Sequence, residues 1–245
     1  MATIPYALIE TVFLDAGNTL VSIDFHRVAA ALSALGIDCE PVALRRAEAA
    51  ARPALSRRLF VTRSDGDGDP FHVYLGEIVG NLDGHAADAV RRRESLVAEL
   101  ALALRSGQPA SGLWRAVLPG VPGALERLRR LGLQLAVVSN SDGTVEESVQ
   151  EAGLRPFFFA VIDSAIVGYE KPDPRIFEQA LARCGARRET TLHVGDMYHA
   201  DVEGARRAGL HAVLLDPYDD WGVPDCTRVA DLVQLADLFE EARRT

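Results

Sequence analysis

Six polar residues stand where an α/β protein could put them to chemical use. Asp15 follows the apolar run Val12-Phe13-Leu14. Ser139 and Asn140 follow Leu133–Val138. Asp196 follows Thr191–Gly195, with Asp201 five residues further on, and Lys171 precedes Pro172. A carboxylate can attack phosphorus and form a covalent intermediate. Magnesium takes one or two carboxylates together with substrate oxygens. A lysine ammonium acts as a point charge on phosphate, and a hydroxyl with nearby backbone N–H groups can hold phosphate oxygens. As a set, the residues suit phosphoryl chemistry. Singly, each has an ordinary role: Asp15 or Ser139 capping a turn, Lys171 as a solvated surface charge, Asp201 as a helix first-turn aspartate. Lys171 stands out because it is the only lysine among 26 basic residues. A site that needs a compact ammonium is a place where arginine does not substitute.

The elements that must position these residues alternate in type. Apolar runs at Val12–Leu14, Leu133–Val138, Phe157–Ile162, Thr191–Val194 and Ala212–Leu215 read as buried parallel strands. Helical patterns lie between them at Ala124–Leu131 and Val145–Ala152, after Asp173-Pro174, and up to Ala208, each followed by glycine. The expected fold is α/β, a Rossmann-like doubly wound parallel sheet. In such a sheet the loops after the strands share one face. Gly17 and Asn18, just after Asp15, are residues that tolerate unusual backbone conformations.

Residues 22–112 break the alternation. Phe25–Leu35, Pro41–Leu59, Phe71–Leu82 and Ala86–Arg105 carry apolar residues at helical spacing. They predict an inserted α-helical cap domain, with residues 1–21 and 113–245 forming the core. Ser64–Pro70 alternates aspartate with glycine, but Pro70 and Gly76 fall where a calcium loop needs glycine and glutamate, so a flexible acidic turn is expected. The formal net charge of −9 argues against nucleic acid or an anionic membrane surface as partner. Cys39, Cys184 and Cys226 have no paired spacing, no run spans a membrane, and the opening residues lack a signal-peptide pattern, so a cytoplasmic location is expected.

Asp15-Ala16-Gly17-Asn18-Thr19, Ser139-Asn140, Lys171-Pro172 and Gly195-Asp196 with Asp201 resemble, in order and placement, the four motifs of haloacid dehalogenase-like hydrolases. The resemblance covers essentially the whole chain. It implies a magnesium-dependent phosphatase acting on a small phosphorylated substrate through an aspartyl-phosphate intermediate. By position, Asp15 is the implied nucleophile. Ser139, Asn140 and Lys171 would hold the phosphoryl group, with Thr19 supporting the first loop beside them. Asp15, the Gly17 carbonyl and Asp196 would ligate magnesium, and Asp201 would orient Lys171 or a water at the metal.

The chain departs from the pattern at Gly17, where phosphatases of the family usually carry an acid–base aspartate. A positioned acid or base contributes about 10²–10⁴-fold, so turnover is expected to favour good leaving groups. Asp24 and His26 are the candidates for a substitute acid. His193 reads as core or as support for the site, and His199 and Asp142 lie near it. Two other functions follow from the same motifs. One is a haloacid dehalogenase, although that branch typically lacks the acid corresponding to Asp196. The other is a catalytically weakened phosphate- and magnesium-binding protein. The phosphonate-cleaving branch needs a cap lysine, and residues 22–112 contain none.

Overall fold

The computed structural model describes residues 4–62, 69–82, 86–106, 110–222 and 225–244. Residues 64–68 of the predicted acidic turn at Ser64–Pro70 lie outside the described residues.

Along the chain the strands are β1 (Thr11–Leu14), β2 (Val21–Ile23), β3 (Trp114–Val117), β4 (Gln134–Ser139), β5 (Ala160–Asp163), β6 (Thr191–Gly195), β7 (His211–Leu215) and β8 (Thr227–Val229). The helices are α1 (Phe25–Ala34), α2 (Pro41–Phe60), α3 (Pro70–Gly80), α4 (Ala86–Arg105), α5 (Val121–Arg130), α6 (Val145–Glu151), α7 (Ser164–Val167), α8 (Pro174–Cys184), α9 (Gly204–Arg207) and α10 (Leu232–Ala242). Six strands form one parallel sheet in the order β5-β4-β1-β6-β7-β8. The chain runs outward from β1 through β4 to β5, then returns to the other side of β1 for β6. The expected doubly wound sheet is therefore present, and the reversal of strand order places a crevice at the carboxyl end of β1.

Both faces of the sheet are covered, which is why consecutive residues of its central strands, such as Val12, Phe13 and Leu14 or Ala136, Val137 and Val138, are apolar rather than alternate ones. Val12, Leu14, Val137 and Val194 pack with α5 and α10. Phe13, Ala136 and Val138 point the other way, onto Phe177 of α8 and Ala205 of α9. The start of α8 follows the sequence reading. Asp173 accepts from Arg175 N at 2.9 Å, with Pro174 in the first turn.

Between β2 and β3, α1–α4 build a separate apolar cluster that includes Leu32, Leu44, Leu55, Leu75, Ile78 and Leu100. β2 and β3 pair antiparallel, so the chain leaves the core and re-enters it on a short two-stranded ribbon. The sequence reading had no strand there. Among the described residues no helix is long and apolar enough to cross a membrane, and the three cysteines are unpaired.

Candidate active site

Asp15, Ser139 and Asp196 end three adjacent strands, β1, β4 and β6, and converge on one cleft of about 510 Å³. Gly17, Asn140, Lys171 and Asp201 line the same cleft. The Lys171 ammonium is 2% exposed and donates to Asp15 Oδ1 and Asp201 Oδ1, each at 2.7 Å. Burial disfavours its charge, yet the two carboxylates hold its pKa well above the usual lysine range. Asn140 fixes the segment that carries it. Its amide donates to Lys171 O at 2.9 Å and its carbonyl oxygen accepts from Lys171 N at 2.7 Å. The Asn140 side chain, expected to touch substrate, is thus engaged with the Lys171 backbone.

Asp201 is held from three directions. Besides Lys171, Met197 N donates to its Oδ2 at 2.8 Å and His193 Nε2 lies 3.0 Å from Oδ1. Burial opposes ionisation, but Lys171 and His193 hold the carboxyl well below the usual range. His193 is fully buried, and burial depresses its pKa while Asp201 pulls the other way. A carboxylate only accepts, so Nε2 carries the proton and donates. A π-helical turn over Tyr198–Glu203 brings Asp201 back against the end of β6. A Cβ at Gly195 would lie 2.2 Å from Asp201 Cγ, so only glycine fits at that strand end.

Oxygens of Asp15, Asp196 and Asp201 lie within 4.8 Å of one another. Burial raises the Asp15 carboxyl, with Lys171 opposing, and pushes Asp196 up to about 8 against the pull of Arg52. Asp196 Oδ2 is buried and accepts no hydrogen bond. A buried carboxyl oxygen that accepts no hydrogen bond, with only Arg52 Nε at 3.3 Å and a second carboxylate beside it, fits a hard divalent cation with oxygen ligands.

Several expected residues are placed elsewhere. Thr19 is 1% exposed and does not line the cleft; its turn folds back through Leu20 N to Ala16 O at 2.9 Å. Asp24 is spent on the N-terminus of α1, accepting from His26 N at 3.0 Å and Arg27 N at 3.2 Å, and His26 is exposed. Neither lines the cleft, so neither replaces the missing acid. Asp142 stays at the cleft rim and accepts from Thr144 Oγ1. His199 Nδ1 is 2.9 Å from Ser56 Oγ.

The first loop also differs in detail. Asn18, not Gly17, takes the left-handed conformation, at φ 51°. Gly17 is small for another reason. A Cβ there would come within 3.2 Å of Trp114 Cζ3.

A stripe on α2 was missed. Glu48, Arg52 and Ser56 are buried at i, i+4, i+8 and face the core. Glu48 accepts from Asn18 Nδ2 at 2.8 Å and pairs with Arg52 at 2.7 Å. Arg52 Nε lies 3.3 Å from Asp196 Oδ2, and Ser56 holds His199. Tyr74 of α3 lies beside Asn18 with its hydroxyl buried and without a formed hydrogen bond. The spacing of the α2 stripe is visible in sequence, but it looks the same as a solvated face.

A family model for haloacid dehalogenase-like hydrolases matches residues 9–209. The chain belongs to that family. This haloacid dehalogenase-like hydrolase is 35% identical over 180 residues to bovine haloacid dehalogenase-like hydrolase domain-containing protein 3, covering 74% of this chain and 70% of the bovine one. It is 41% identical over 119 residues to the phosphoserine phosphatase of Thermus thermophilus, spanning 46% of this chain and under half, 47%, of that relative. A magnesium-bound hydrolase of the family from Bacillus subtilis shares its fold. The TM-score is 0.64 at 21% identity, over 94% of this chain and 98% of that one.

Proposed function

We propose that the protein is a magnesium-dependent phosphatase that works through an aspartyl phosphate on Asp15. The observation that carries the reading is the buried carboxylate cluster of Asp15, Asp196 and Asp201 around Lys171, in which Asp196 Oδ2 has an ion pair with Arg52 at 3.3 Å but accepts no hydrogen bond. A dehalogenase has no use for a cation there, whereas a phosphoryl group brings charge that a cation and Lys171 together neutralise. The phosphatase named among its relatives supports the same class. Asp15 and Asp196, with the Gly17 carbonyl, hold the magnesium, which supplies charge neutralisation on the phosphoryl oxygens. Ser139 and Lys171 hold the phosphoryl group, Asp201 keeps Lys171 aimed, and the helical insertion caps the cleft.

Calorimetry tests the metal site. The protein is expected to bind one magnesium, and Asp196→Asn to bind it at least about 10-fold more weakly, in line with loss of a ligand or its orientation. Phosphate and halide release, measured with and without magnesium, separates the classes. Halide release that ignores magnesium would establish the dehalogenase. Bound magnesium with no release of either product would favour a binding protein, the reading that the loss of the acid at Gly17 also serves.

Restoring the acid has a steric condition. Gly17 does not sit at positive φ, so aspartate meets no backbone penalty, but its Cβ meets the Trp114 ring. Gly17→Asp alone is expected to change turnover of alkyl phosphates by less than about 10-fold. Combined with Trp114→Leu it is expected to gain more, up to a ceiling of about 10⁴-fold. Steady-state kinetics on phosphoserine, with a thermal melt of each variant, reads the difference.

A further inference from the structure

We propose that the substrate is a phosphate ester of an aromatic alcohol, with Trp114 standing where the family's proton donor would be. The inference rests on the phosphatase reading above and concerns only the group that departs.

Gly17 and Trp114 carry the argument together. The edge of the Trp114 six-membered ring faces Gly17, with Cζ3, Cε3 and Cη2 at 3.2, 3.5 and 3.7 Å from where a Cβ would be. A side chain at position 17 would therefore crowd an apolar ring, which would have to give by a few tenths of an ångström. Tyr74 packs on Trp114 with ring centroids 5.6 Å apart, and Phe71 stacks on Tyr74 at 6.5 Å. These three rings, together with Leu55, Leu59 and Phe60, line the cleft away from Asp15. Two charged residues on that side, Asp69 and Arg105, are paired with each other at 2.5 Å. Such a wall offers flat apolar contact, although the cleft also carries polar side chains such as Ser141, Thr144 and Glu170.

The chemistry agrees with the wall. Asp15 forms a bond to phosphorus while the bond from phosphorus to the substrate oxygen breaks, and the electron pair leaves on that oxygen. An alkoxide needs a proton at this point, and nothing at position 17 supplies one. An aryl oxide spreads the charge into its ring and leaves as the anion. Water then attacks phosphorus, the bond to Asp15 breaks, its electron pair returns to the carboxylate, and both water protons finish on phosphate as dihydrogen phosphate. The ring that crowds position 17 is thus the ring offered to the substrates able to do without the acid.

The test compares kcat/KM for phenyl phosphate, cyclohexyl phosphate, phosphoserine and acetyl phosphate in the protein with magnesium. Phenyl phosphate is expected to exceed cyclohexyl phosphate and phosphoserine by at least about 10²-fold, the lower range for a missing acid. Trp114→Leu is expected to raise KM for phenyl phosphate at least about 5-fold while leaving KM for acetyl phosphate within about twofold. Phenylphosphonate, which is not hydrolysed, is expected to bind the unmodified protein at least about 5-fold tighter than cyclohexylphosphonate by calorimetry, a result independent of how Trp114→Leu folds. Equal rates on phenyl and cyclohexyl phosphate, or equal affinity for the two phosphonates, would overturn the substrate class and leave the phosphatase reading standing. No phosphate release even from acetyl phosphate, whose leaving group needs no acid, would overturn both.

Discussion

Asp15→Asn is expected to abolish phosphate release while leaving the fold intact. An amide cannot form the acyl phosphate, so kcat should fall by about 10⁴-fold or more, the scale seen when a nucleophile is removed. The fold survives because Lys171 keeps Asp201 at 2.7 Å as its counter-ion. Burial raises the Asp15 carboxyl, which means that its charge costs stability in the free protein at neutral pH. The sign follows from linkage. A carboxyl with a raised folded pKa weighs against the folded state increasingly as pH rises above the unfolded value of about 4. Asparagine removes that cost and also one partner of Lys171. The melting temperature of Asp15→Asn should therefore stay within a few degrees of the parent at pH 7.5, and any advantage should shrink toward pH 4. Thermal melts in EDTA, paired with released phosphate, read both quantities. A nucleophile held at some cost in stability is an expected trade at an active site.

Lys171→Met is expected to have the largest effect on stability. It leaves Asp15 and Asp201, with Asp196 nearby, as buried carboxylates without their cation. Breaking a buried pair in this way costs about 3–5 kcal/mol, or about 6–20 °C in melting temperature for a chain of this size. Lys171 has a raised pKa, so its contribution in the parent is complete below about 10.5 and is lost only at higher pH. In the variant, protonating one carboxyl relieves the repulsion. The gap between variant and parent should therefore narrow from pH 7.5 to pH 5, measured by thermal melting without metal. Lys171→Arg keeps the charge but not the compact ammonium that bridges two carboxylates within a space 2% exposed. It should lower vanadate affinity at least about 10-fold. Unchanged affinity would remove Lys171 from the phosphoryl site.

The convergence of Asp15, Ser139, Lys171, Asp196 and Asp201 was legible because each charged or hydroxyl residue follows an apolar strand or stands at a loop beyond one. The sheet topology then brings those ends together. Lys171 carried an additional compositional signal as the chain's single lysine. The boundaries of α1–α4 were legible from helical periodicity, which is local. The partners of those helices were not. Glu48 and Arg52 lie on a helix rich in alanine and arginine, and only tertiary packing decides that this stripe meets Asn18 and Asp196 rather than water. Trp114 sits about a hundred residues from Gly17 in the chain, and the antiparallel pairing of β2 with β3 brings them together. The role of Asn140 was misjudged for a similar reason. Its amide is taken up by the backbone of a residue 31 positions away.

The position of β1 in the sheet has a consequence for the order in which the protein can be built. Both strands that flank β1 come much later in the chain: Leu14 pairs with Val137 on one side and Val194 on the other. At about 5–20 residues per second, the second neighbour emerges roughly 10–40 s after β1. During that interval α1–α4 can collapse on their own apolar cluster, while Val12-Phe13-Leu14 waits with its backbone unpaired. The bond from Lys171 to Asp15 spans 156 positions, so it cannot close before most of the chain has been made. Vanadate binding during synthesis or refolding would therefore report when the segment from Asp15 to Asp201 has come together, since the site residues span that stretch.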